Sequence, residues 1–163
     1  MFKTENEFDP IIKEEWGLPI VYDGITNIKE YEKAPVKILW ILKEGNEHTK
    51  QNERDHRDFH TNVAEYYAGW KLTYKNIILP TYGILHNFEY KDLPALNDDA
   101  TVNDEYVLNT IALINVNKKG GGSTANVSII EENYAEHKDV LLQQIEGISP
   151  DVIINCSRVN RLF

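Results

Sequence analysis

Residues 36–42 read VKILWIL, an apolar run broken only by Lys37, with Pro35 ahead of it and Gly45 shortly behind. A run this short, rich in Ile and Leu and closed by turn formers, predicts a strand rather than a helix. Its hydrophobicity is nearly continuous instead of alternating. That predicts burial on both faces, the position of a central strand in a parallel sheet. Two further stretches have the same character, TIALINV at 110–116 and DVIINC at 151–156. The segments between them carry helical patterns. Residues 59–68 and 73–87 read as two helices, with Pro80 expected to kink or split the second. Residues 103–109 read as a short helix. Residues 128–146 form the clearest helix, placing Ile130, Tyr134, His137, Leu141 and Ile145 along one face. Gly147 is its expected C-cap, and Pro150 bars continuation. Residues 157–163 read as the first turns of another helix. Strands alternating with helices predict an α/β fold, a three-layer sandwich around a short, mostly parallel central sheet.

The chain has 163 residues, enough for one domain, so residues 1–163 read as a single α/β domain. Residues 1–35 read as an N-terminal helical decoration, with helices at 6–16 and 26–33 and Thr26 as the N-cap of the second. Apolar residues make up 42% and charged residues 26%, which excludes wholesale disorder. No apolar run approaches the roughly 20 residues of a membrane span. The first ten residues carry acids and no apolar core of a signal peptide. Cys156 is the single cysteine, which excludes a disulfide framework and an all-cysteine metal site. A cytoplasmic protein without a membrane partner is the expectation. The net charge of −9 argues against general coating of nucleic acid. The acidity is uneven: residues 1–35 hold four Lys against eight acids and residues 61–114 three against seven, while residues 36–60 balance. A local polyanion site is therefore permitted.

In parallel sheets ligands gather beyond the carboxyl ends of the strands. That rule selects three loops: 43–48, 115–124 and 155–158. In the first, Glu44 follows a buried strand, where a carboxylate can act as a general base or orient water. Gly45 would let backbone approach a ligand. In the second, Asn115 offers both a donor and an acceptor, which suits the edge of a nucleobase. Lys118, Lys119, Gly120, Gly121, Gly122 and Ser123 follow, combining positive charge with accessible backbone N–H groups for an anion. The order of residues is not that of a Walker A loop. Ordinary solvated loops are the competing reading of both. Cys156 in the third loop reads as a small core residue. His48, His56 and His60 cluster with Asp55 and Asp58, but the stretch is strongly polar and reads as solvated, so no metal and no cofactor are expected. Among the many aromatics between 59 and 90, Phe59 is the best placed in sequence to stack on a base.

The run INVNKKGGGSTAN, the helix ending YAEHKDVLLQQIEGI and the strand SPDVIINC together resemble the uracil-DNA glycosylase-like superfamily. The matching features fall on Asn115, Lys118, Gly120 to Gly122, Leu141, Leu142, Ile145, Pro150 and Val152 to Ile154. ILWILKEGN resembles the strand and loop carrying that family's water-activating residue, here Glu44. The resemblance implies a glycosylase-like fold and hydrolysis of the N-glycosidic bond of uracil, or a related damaged base, flipped out of DNA. It implies Glu44 as the water-orienting group and Asn115 as the base reader. Phe59 and Asn46 would be further base contacts, with Lys118, Lys119, Gly120, Gly121, Gly122 and Ser123 near phosphate. The match is to a divergent member. The family's closing His-Pro-Ser-like loop has no counterpart up to Phe163, and the four cysteines of its iron–sulfur members are absent. Two rival readings stand beside it: a hydrolase of free nucleotides, and a non-enzymatic acidic binding module such as a DNA mimic.

Overall fold

The computed structural model describes residues 5–46, 53–57, 63–94, 104–121 and 124–159. The elements run α1 (Glu5–Trp16), β1 (Ile20–Tyr22), β2 (Gly24–Ile25), α2 (Ile28–Lys33), β3 (Ile38–Asn46), β4 (Glu53–Asp55), α3 (Val63–His86), α4 (Asp104–Asn109), β5 (Ile111–Gly121), α5 (Val127–Ile148) and β6 (Val152–Asn155). A 3-10 turn, Tyr90–Asp92, follows α3. The three apolar runs become β3, β5 and β6. β3 lies in the middle and runs parallel to both neighbours, with Ile38 opposite Ile111 on one side and Val152 on the other. β2 adds antiparallel to the outer edge of β5, with Gly24 opposite Leu113. The order is β2-β5-β3-β6, a four-stranded mixed sheet, and β1 and β4 form a separate parallel pair. The first 35 residues thus contribute α1 and α2 and also β2, an edge strand of the central sheet.

Side chains alternate between the faces of a strand, and the core divides accordingly. Ile38, Trp40, Ile111 and Leu113 pack with Tyr74, Ile77 and Ile78 of α3 and with Val107 and Leu108 of α4. Leu39, Ile41, Ala112, Ile114 and Val116 pack with Ile12 and Trp16 of α1 and with Leu141, Ile145 and Ile148 of α5. Helices therefore cover both faces, which is why the strands carry so few polar residues. Trp40 Nε1 donates to Thr81 Oγ1 at 3.0 Å, tying α3 to the central strand. On the other face, His137 Nδ1 lies 2.8 Å from Glu15 Oε1 and its ring sits 4.2 Å from that of Trp16. α5 bends at His137, whose backbone leaves helical geometry (φ −110°). No helix among the described residues is long and apolar enough to cross a membrane.

Several local expectations are revised. Asn27, not Thr26, caps α2, its side chain accepting from the Glu30 N–H. The Thr26 hydroxyl instead meets the Leu108 and Ile111 carbonyls at 2.6 and 2.8 Å. One helix, α3, spans most of the two expected between 59 and 87, with Pro80 inside it. Pro80 is on the exposed side, while Ile77, Ile78, Leu79 and Thr81 are buried around it. α5 runs past Gly147, because Ile148 is buried in the core; Ser149, in the left-handed region at φ 50°, ends it. The expected glycine-rich loop is largely strand, since β5 continues to Gly121 alongside β3. Residues 157–159 are not helical, and Arg158 there has φ 68°.

Candidate functional site

The row of side chains on the α3 face runs from apolar to polar toward the carboxyl end of the sheet. On β3 it reads Ile38, Trp40, Leu42, Glu44; on β5 it reads Ile111, Leu113, Asn115, Asn117. The register sets Leu42 opposite Asn115 and Glu44 opposite Asn117. Glu44 and Asn115 thus fall on one face, with their following segments opening on one edge.

Asn117 is the residue that meets the carboxylate. Its Nδ2 donates to Glu44 Oε2 at 3.0 Å, and its Oδ1 accepts from the Lys119 N–H at 3.0 Å. Both ends of the amide are engaged, so the buried Asn117 holds the half-buried Glu44 in one orientation. Gly121 closes the other side: a Cβ there would run into the Glu44 carboxyl group. Between these two contacts the ladder is irregular, with Glu44 opposite Asn117 but Asn46 opposite Gly121. Gly45 lies just as close to the His56 ring, which leaves no room for a side chain at that position. The colliding atoms at Gly121 are the free end of a flexible side chain, so Gly121→Ala should leave stability within about 1 kcal/mol of wild type while displacing Glu44 from Asn117. Matched urea unfolding curves, read beside whatever activity Glu44 supports, would check this.

Behind that row lies a buried polar network that the sequence reading did not assemble. Asp23 stands at the outer edge of β5. Its Oδ2 accepts from the Asn115 backbone N–H at 2.8 Å and from Asn115 Nδ2 at 3.1 Å. Its Oδ1 accepts from Lys118 Nζ at 2.5 Å, and Lys118 also donates to Gln144 Oε1 at 2.8 Å. Gln144 Nε2 returns a bond to the Asp23 carbonyl at 3.1 Å. Lys118 has 0% exposure and Asp23 2%. Burial drives the Lys118 pKa below its ordinary value, and the Asp23 charge works against that shift. The signal for such a pair was present in the sequence. Lys118 continues the inward row Ala112, Ile114, Val116, and a cation in that row requires an acid.

Next to this network, Arg57 bridges α1 and β4. It donates to Asp9 Oδ1 and Oδ2 at 3.0 and 2.8 Å, and to Asp55 Oδ1 and Oδ2 at 2.8 and 2.5 Å. Burial works to lower the Arg57 pKa, but the two carboxylates raise it overall. Burial alone would raise the Asp55 pKa; the hydrogen bonds and charge of Arg57 outweigh it and hold the carboxyl below the usual range. A depressed carboxylate stabilises the fold above its unfolded pKa, roughly 3.9, and that stability is lost as pH falls through the folded value. Arg57→Met should therefore flatten the stability curve below about pH 4. Urea midpoints taken from about pH 3 to 6 would test it, and an unchanged acid slope would count against the assignment.

Of the other expected site residues, Lys119 is half-buried and Gly120 exposed, both on the last part of β5. Lys118 stands in the enclosed pair with Asp23 rather than in an open loop. Asn46 is the last residue of β3. Phe59, Gly122, Ser123, His48 and His60 lie outside the described residues. Among the described residues no three His, Cys, Asp or Glu side chains group as metal ligands. Cys156 follows β6 and is exposed, not the core residue expected, because β6 ends at Asn155; partial burial of its thiol still raises its pKa, and nearby Lys43 works against that. No family model, no curated protein and no solved structure matches the chain.

Proposed function

We propose that the chain is a uracil-DNA glycosylase-like hydrolase, cleaving the N-glycosidic bond of uracil or a related damaged base in DNA at the carboxyl edge of β3 and β5. The observation that carries this reading is the Glu44 carboxylate, half-buried at the end of the central strand and fixed by Asn117 on its parallel neighbour. In the reaction the bond from C1′ to the base nitrogen breaks and its electron pair leaves with the base. A water oxygen bonds C1′ and passes its proton to the Glu44 carboxylate, and the departing base anion is then protonated from solvent. Glu44 orients that water, and its negative charge offsets the positive charge growing on the sugar. Asn117 is a positioning residue for Glu44. Asp23 fixes the Asn115 amide behind the site. Lys119 is the cation left for a phosphate, because Lys118 is committed to Asp23.

The test is a duplex oligonucleotide with a single uracil, incubated with the protein and then treated with hot alkali to cleave abasic sites. Strand cleavage is expected, falling as salt rises because phosphate contacts release counterions. Cleavage of free deoxyuridine nucleotides with little salt dependence would replace this reading with a nucleotide hydrolase. Absence of both product and DNA binding would end it, and tight association with a basic protein would then favour an acidic binding module.

A further inference from the structure

The two ends of the central sheet are finished differently. At one end Gly24 and Ile25 of β2 are buried. At the other, Val152, Ile153 and Ile154 of β6 are half-buried and Asn155 is exposed. β6 meets β3 through alternate residues: the Val152 and Cys156 N–H groups donate to the Lys37 and Ile41 carbonyls at 3.0 and 2.8 Å. Successive residues of a strand aim their N–H and C=O groups to opposite sides. Those of Ile153 and Asn155 therefore face outward, and among the described residues no strand pairs with them. Open sheet edges are ordinarily blunted by a lysine, a proline or a bulge. β6 reads VIIN, has none of these, and keeps a regular register against β3. The edge also carries opposite charges at its two ends. Asp151 precedes the strand and Arg158 follows it, both exposed, and Arg158 makes no ion pair among the described residues. Such an edge is complementary to itself: a second copy laid antiparallel brings acid to cation at both ends, as a two-fold axis requires.

We infer that β6 is a dimerisation edge, on which a second copy of this chain pairs antiparallel about a two-fold axis at Ile154, joining the two sheets into one. Ile153 exchanges N–H···O bonds with the partner's Asn155, and Asn155 with the partner's Ile153. Asp151 then falls opposite the partner's Ser157, beside the partner's Arg158. The inference stands on the open edge and does not depend on glycosylase activity. The full chain would be weighed by sedimentation equilibrium. A mass rising with concentration from 18.8 kDa toward twice that value is expected. Asp151→Arg and Arg158→Asp should each weaken association at least about tenfold, because either reversal sets like charges together at both ends. Combining them should restore it. That rescue separates charge pairing from damage to the fold, since Asp151→Arg also removes the acceptor of the Lys37 N–H. In a Cys156→Ser background, Ile154→Cys should give a covalent dimer on oxidation. Facing residues of a non-hydrogen-bonded pair have Cα atoms about 4.5 Å apart, within disulfide reach. Ile129→Cys, exposed on α5, is the control and should not cross-link. A mass fixed at 18.8 kDa at every concentration would overturn the proposal and leave the edge to a strand of another protein. Association indifferent to the charge reversals, or cross-linking no faster at 154 than at 129, would overturn it as well.

Discussion

Asp23→Ala should cost the fold about 3–5 kcal/mol, the usual penalty for stripping one partner from a buried ion pair. The reason lies in what remains. Lys118 stays fully enclosed, and among the described residues Gln144 alone remains to accept from it. The Asn115 backbone N–H and side-chain amide lose their shared acceptor at once. Lys118→Met should cost less, because Asp23 would still accept from Asn115 and from Gln144. The two costs should not add in the double variant, since the residues share one network. Urea unfolding of the three variants gives the comparison. If Asp23→Ala and Lys118→Met proved equally mild, the pair would not be the buried anchor argued here.

On the proposed chemistry, Glu44→Gln should slow single-turnover base release by about 10² to 10⁴, the range for losing a positioned acid–base group. Affinity for the uracil oligonucleotide, read by fluorescence anisotropy, should hardly change. Glutamine keeps the shape and can still accept from Asn117 Nδ2, so the substitution removes the charge and the basicity while keeping the packing. Asn117→Ala should follow in the same direction but less far, because it frees the carboxylate without deleting it. A Glu44→Gln protein as fast as wild type would remove Glu44 from the mechanism. A loss of binding equal to the loss of rate would reassign it to substrate contact.

The central strands were legible because VKILWIL, TIALINV and DVIINC are short apolar runs with turn formers at their ends, a local property. The extension of β5 through Lys119, Gly120 and Gly121 was not legible. Glycine has no strand preference of its own, and what keeps these residues extended is the continuing partner β3. The two-residue period that makes Leu113 and Asn115 share a face also carries Asn117 there. Only the register with β3 tells which amide meets Glu44, and register is a non-local fact. Asp23 reads locally as part of a Tyr-Asp-Gly turn. Its partners Asn115, Lys118 and Gln144 are remote in sequence, and no pattern near residue 23 announces them.

The sheet order has a consequence for how the protein is made. β3 carries the apolar run of the central strand, yet both of its partners, β5 and β6, lie far downstream in the chain. A ribosome adding roughly 5–20 residues per second needs several seconds to travel from Asn46 to Gly121. In the later part of that interval the VKILWIL segment is outside the exit tunnel while β5 is incomplete and β6 is not yet synthesised. It is then a bare hydrophobic strand, competent to pair with another nascent chain. Yield in the cell should accordingly depend on chaperones that shield this segment, and on the speed of translation between β3 and β5.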